Sequence, residues 1–229
     1  MIHRGNLRHA TAAALVVVLV SALLAVHLAA RARGAEASRC ERFEAQSVMR
    51  AQAVTGSGPK VVVIGDSYSA GLGLDAPGDS WPTRLDGTVH VAGFSDSGFS
   101  VGASGCPGVS FGARAADALR PGTGLVVVEG GLNDHDQSDE AIREGFDQLL
   151  ARLRGQRVVV VGPPSAPARA ADVPRVDGLL AELAEQYGAA YVRTSGWTLP
   201  YLDDGLHLTP AGHRAFGDAV AHELAEAAP

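Results

Sequence analysis

Five short, valine-rich runs of nearly uninterrupted apolar residues punctuate the chain: Lys60 to Ile64, Val89 to Phe94, Leu125 to Val128, Arg157 to Val161, and Ala189 to Val192. Runs of this length without polar alternation suit strands covered on both faces. Between the last three runs the apolar period lengthens. Ile142, Phe146, Leu149, Leu150 and Leu153 share one face of a helix, with Ser138 placed to cap its start and Gly155 just past its end. Val176, Leu179, Leu180, Leu183 and Tyr187 repeat the pattern after Pro174, and Thr209-Pro210 opens a last helix running towards Ala227. Strands alternating with helices predict an α/β fold: a five-stranded parallel sheet with helices on both faces and ligands at the carboxyl ends of the strands.

The amino-terminal segment follows a different pattern. From Ala10 to Ala30 there is no charged residue, and about 20 apolar residues in a helix cross a hydrocarbon layer about 30 Å thick. Residues 1–37 therefore read as a signal peptide or an uncleaved membrane anchor, with Ala35-Glu36-Ala37 as an available cleavage site. Residues 38–58 read as a connecting helix and linker, the stretch 55–59 being a flexible break, and 59–229 as the main domain. The expected location is outside the cytoplasm, anchored or secreted. In such an oxidising compartment Cys40 and Cys106 can close a disulfide; two unpaired thiols are the alternative.

Composition narrows the chemistry. In 229 residues there are 28 glycines and 12 prolines without a fixed period, which excludes collagen-like and solenoid architectures and leaves a turn-rich globular domain. Residues 41–229 hold 14 basic against 24 acidic residues, a sign that disfavours nucleic acid as a partner. Lys60 is the only lysine, so Schiff-base chemistry has a single candidate and is set aside.

Candidate chemistry gathers where the strands end. The first run leads into Gly65-Asp66-Ser67, which puts a serine at the carboxyl edge of the sheet. Asp96-Ser97-Gly98 follows the second, its glycine N–H a possible donor, and Glu129-Gly130-Gly131-Leu132-Asn133-Asp134 closes the third, with an asparagine amide suited to an oxyanion. Near the carboxyl terminus Asp204 stands three residues before His207, so one turn can hold a carboxylate against one ring nitrogen and leave the other to take a proton from a hydroxyl. Each block alone also reads as an ordinary glycine-rich turn, cap or surface histidine; their order along the chain sets them apart.

In these blocks the chain resembles the SGNH hydrolases of the GDSL esterase and lipase family. The matching residues are Gly65-Asp66-Ser67, Gly98, Gly131-Leu132-Asn133-Asp134 and Asp204-Gly205-Leu206-His207, spread over nearly all of 59–229. The resemblance implies the family's flavodoxin-like three-layer α/β/α sandwich. It also implies Ser67 as nucleophile, His207 as base, Asp204 as its orienting acid, and an oxyanion hole made by the N–H groups of Ser67 and Gly98 with the Asn133 side chain. One departure is Asp96, where the family often has asparagine. The implied activity is hydrolysis of a small-molecule, glycan or lipid ester through an acyl-enzyme, without cofactor or metal. Transfer of the acyl group to or from a sugar or lipid hydroxyl is the alternative, and a non-enzymatic wall-binding domain a third reading.

Other features are expected to be silent. Gly98-Phe99-Ser100-Val101-Gly102 matches the G-x-S-x-G elbow of other hydrolases, but it does not follow its strand directly. The Asn133-Asp134-His135-Asp136 cluster has no second ligand group to complete a metal site, and His213 and His222 are expected to face solvent. His135, Trp81 and Phe99 are expected to line the substrate pocket, and the low aromatic content favours short acyl chains on small alcohols or sugars.

Overall fold

The computed structural model describes residues 3–226, with side chains from residue 17 onward. Six α-helices are described: α1 (His3–Gln52), α2 (Ser67–Ala70), α3 (Phe111–Ala118), α4 (Asp139–Arg152), α5 (Val173–Tyr187) and α6 (Pro210–Glu226). The five strands are β1 (Lys60–Gly65), β2 (Thr88–Gly93), β3 (Thr123–Glu129), β4 (Val158–Val161) and β5 (Ala190–Val192). They form one sheet in the order β2-β1-β3-β4-β5, every neighbouring pair parallel.

The register matters most for function. Gly93 pairs with Gly65, Gly65 with Glu129, Glu129 with Val161, and Val161 with Val192, so one rung crosses all five strands at their carboxyl ends. Ser67 lies two residues beyond this rung on β1, Gly98 five beyond it on β2, and Asn133 four beyond it on β3. Side chains alternate between the faces of a strand. Val62, Ile64, Val126, Val128 and Val160 thus pack with Phe146, Leu149 and Leu180 of α4 and α5 on one face. Val61, Val63, Val127, Val159 and Val161 pack with Trp81, Phe216 and Val220 on the other. Buried valine on both faces is what a parallel sheet between helical layers requires. The short helix α3 carries no long apolar stripe and was not expected; it buries Phe111, Ala115 and Ala118.

The contacts divide the chain into two compact units between Glu41 and Arg42. Within the first, α1 is long and apolar enough to cross a membrane, and its leucines and valines between Val17 and Leu28 are exposed. The second unit takes in the end of α1: Phe43 meets Phe94 edge-on, Gln46 accepts from the Ser95 hydroxyl, and Arg50 is fully buried. Residues 55–59, expected as a flexible break, are hydrogen-bonded. Thr55 exchanges both backbone bonds with Val89 on edge strand β2, and Pro59 accepts from the Thr88 amide. Cys40 and Cys106, the two cysteines of the sequence, are both disulfide-bonded.

Candidate active site

The turn after β1 is built by Asp66, whose carboxylate accepts the Tyr68 N–H at 2.9 Å and caps the single turn α2, which ends at Gly71. Ser67 opens that turn and is 6% exposed. Two buried carboxyls lie beneath it. Burial, together with neighbouring Glu129, pushes the Asp66 carboxyl well above its usual range. Burial also pushes Glu129 up to about 7, against the Ser69 hydroxyl that donates to it at 2.7 Å. The Arg114 guanidinium reaches the ends of β1 and β2 from α3, donating to the carbonyls of Gly65 and Ala92 and to the Ser97 hydroxyl.

The loops after β2 and β3 are clasped together. Asp134 is fully buried and its carboxylate accepts the amides of Phe99 at 3.0 Å and Ser100 at 2.8 Å. A methyl group on Gly98 would lie 2.5 Å from that carboxylate and 2.7 Å from Ala103, so only glycine lets the two loops approach this closely. Asn133 donates one amide hydrogen to the Ser97 carbonyl at 2.9 Å. That bond polarises the peptide whose N–H belongs to Gly98, and the second amide hydrogen of Asn133 remains to donate elsewhere. Asp96 has a φ of +67°, a left-handed conformation that Asp and Asn tolerate better than other side-chain-bearing residues. The substitution for the family's asparagine therefore keeps the backbone requirement.

The loop before α6 is a self-supporting turn. Asp204 Oδ1 accepts the amides of Leu206 and His207, both at 2.9 Å, while Oδ2 lies 2.6 Å from His207 Nδ1. Slight burial pushes the Asp204 carboxyl up, but the bonds from His207 and the two amides outweigh it and hold the group at about 2. An ionised carboxylate against Nδ1 favours the tautomer with its proton there and Nε2 free to accept. The turn meets the serine segment through one long-range contact: the Tyr68 hydroxyl donates to the Leu206 carbonyl at 2.6 Å. The residue after Ser67 is thereby tied to the residue before His207.

Other expectations are corrected. Trp81 and Phe99 do not line a pocket. Both are fully buried, Trp81 donating its indole N–H to Ser69 and Phe99 packing against Phe111 and Phe146. His213 does not face solvent: it is 1% exposed, edge-on to Tyr68, and burial depresses its imidazole to about 4. His222 is exposed as expected. His135 is half-buried beside Asp172. Ser100 of the rival elbow is buried and precedes a short 3-10 turn, not a helix springing from a strand. The supporting residues Tyr68, Arg114 and Glu129 escaped sequence reasoning, because their partners lie far away along the chain.

A parallel five-stranded sheet with helices on both faces, and with Ser67, Gly98, Asn133 and the Asp204–His207 turn in the loops beyond its strands, has the architecture of the SGNH hydrolases. The model of the GDSL-like lipase/acylhydrolase family matches residues 63–215, and the chain belongs to that family of ester-hydrolysing enzymes. Among solved structures it is similar to the M. smegmatis aryl esterase, at 18% identity and a TM-score of 0.61 over 74% of this chain and 99% of that one. It is also similar to Est24, a carbohydrate acetylesterase from Sinorhizobium meliloti, at 20% identity and a TM-score of 0.59 over 74% and 99%. A family two carbohydrate esterase from Clostridium thermocellum gives 15% and 0.61 over 75% and 64%. At these identities the likeness is one of fold. No curated protein matches the chain.

Proposed function

We propose that the protein is an exported serine esterase that cleaves short-chain carboxylic esters of small alcohols or sugars through an acyl-enzyme on Ser67. The observation that carries this reading is the Asp204–His207 pair at 2.6 Å, joined to the serine turn by the Tyr68–Leu206 bond. In the proposed cycle Ser67 Oγ attacks the ester carbonyl while His207 Nε2 takes its proton. The N–H groups of Ser67 and Gly98 and the Asn133 amide hold the tetrahedral oxyanion, His207 then protonates the departing alcohol, and water repeats the sequence to release the acid. Asp204 keeps the imidazole in the required tautomer. The names of the similar structures, an aryl esterase and carbohydrate acetylesterases, support esters of small acyl groups. The exposed apolar stretch of α1 between Val17 and Leu28 and the bonded cysteines support a location outside the cytoplasm, with that stretch in the membrane if it is not cleaved.

The test is a p-nitrophenyl ester series from acetate to palmitate on the detergent-solubilised full chain, with Ser67→Ala and a fluorophosphonate probe as controls. Fastest turnover on acetate or butyrate, with labelling abolished in Ser67→Ala, is expected. Labelling that survives in Ser67→Ala would overturn the assignment. Acyl transfer to a hydroxyl acceptor shares the intermediate, so deacylation accelerated by an added saccharide would replace hydrolysis by transfer.

A further inference from the structure

The family match begins at residue 63, yet a buried arginine thirteen residues earlier is wired to the serine turn. Arg50, in the last turn of α1, is 0% exposed, and burial lowers its guanidinium to about 10 although Asp79 offsets part of the effect. Completely buried arginine is rare, because its desolvation is costly unless its donors are used. Here Nε donates to the Ser80 hydroxyl at 2.7 Å and Nη1 to the Ala53 carbonyl at 2.8 Å, closing the carboxyl end of the helix, while the buried Nη2 has no hydrogen-bond partner among the described residues. Ser80 passes the contact on, donating to the Ser69 carbonyl at 2.9 Å. The Ser69 hydroxyl in turn donates to Glu129 and accepts from the Trp81 indole.

Ser69 is two residues after Ser67, within the same four-residue turn, and Glu129 is the β3 member of the rung from which the Asn133 loop departs. Ser69 is therefore held by its carbonyl from the α1 side and by its hydroxyl from the sheet side. A one-turn helix has little stability of its own and depends on such external partners. We propose that Arg50 is a positioning residue for catalysis, acting through Ser80 to fix the turn that presents Ser67, so that the end of α1 belongs to the catalytic machinery and is more than a tether. The proposal rests on Ser67 being the nucleophile.

The experiment compares Arg50→Met, Ser80→Ala and the double variant in the full-length protein. The readouts are kcat and KM on p-nitrophenyl acetate, the rate of fluorophosphonate labelling of Ser67, and the melting temperature. Each single change is expected to lower kcat and the labelling rate about 10-fold, with KM within two-fold, at temperatures where the variant is fully folded. The double variant is expected to be no slower than the worse single one, since both break the same chain of bonds. A folded Arg50→Met with wild-type kcat and labelling rate overturns the proposal. Should Arg50→Met fail to fold, Ser80→Ala with an unchanged labelling rate overturns it equally. Failure of the wild type to label at Ser67 would instead remove the nucleophile assignment and this proposal with it.

Discussion

Replacing Tyr68 by phenylalanine removes one oxygen from between the serine and histidine turns and leaves the packing in place. The ring is 1% exposed and stands edge-on to His213 and Phe216, with centroids 6.2 and 5.9 Å away, contacts that phenylalanine preserves. Burial raises the phenol's pKa far above its usual value, so its proton is available to the Leu206 carbonyl throughout the working pH range. A net hydrogen bond contributes about 0.5 to 1.5 kcal/mol, and a buried group left without its partner costs about 1 to 3 kcal/mol. Leu206 is only partly buried, so water can reach its carbonyl, and a stability loss of about 1 kcal/mol follows.

The effect on rate follows from geometry. Leu206 adjoins His207, and the bond spans 138 residues to tie the base's turn to the nucleophile's. Without it the imidazole samples positions away from the serine hydroxyl. A loss of about 1 to 1.4 kcal/mol in preorganisation is a kcat roughly 5 to 10-fold lower. KM should change little, because the phenol faces the interior. Steady-state kinetics on p-nitrophenyl acetate, the fluorophosphonate labelling rate and urea unfolding separate the two effects. A variant that loses about 1 kcal/mol of stability while keeping kcat within two-fold would refute the link between this bond and the base.

Asn133→Ala removes one of three proposed oxyanion donors and should lower kcat roughly 100 to 1000-fold with folding intact, as read by turnover beside circular dichroism. His213→Leu should change the acid response of stability. The buried imidazole resists protonation down to about pH 4 whereas the unfolded one titrates near 6.5, so the wild type loses stability as pH falls through that window, by up to about 3 kcal/mol. The stability of His213→Leu relative to wild type, from urea midpoints, should therefore rise between pH 7 and pH 4.5; a constant difference would contradict a buried, uncharged His213. Replacing both cysteines by serine opens a loop of about 65 residues, for which chain entropy gives a loss of about 4 kcal/mol, measurable as a lower melting temperature.

The strands were legible because five valine-rich runs have no other economical reading, and α4 and α5 because their apolar faces keep a helical period. Helix α3 was not: Phe111, Ala115 and Ala118 do stand at helical spacing, but eight residues, four of them alanine, make too short and weak a stripe to separate from a loop. The main blocks of the proposed site were legible because each is local; Asp204 and His207, for example, meet within one turn. Their supports were not, since Arg50, Tyr68 and Arg114 reach partners between 17 and 138 residues away, apart from a few local bonds. Two further signals are present in the sequence. His213, Phe216, Gly217 and Val220 stand at helical spacing on the buried face of α6, which places the histidine inside. Phe43, Gln46 and Arg50 likewise share a face of α1. For Trp81 and Phe99 the sequence does not separate a pocket wall from a core, since large aromatic side chains suit both.

The tight clasp between Gly98 and Asp134 also bears on attempts to widen substrate scope. Random libraries targeted at residues 96–100 or 131–134 would yield mostly dead clones, because the backbone shape there tolerates so few alternatives at Asp96, Gly98 and Gly131. Variation that keeps the enzyme alive is therefore confined to side chains that leave this backbone untouched.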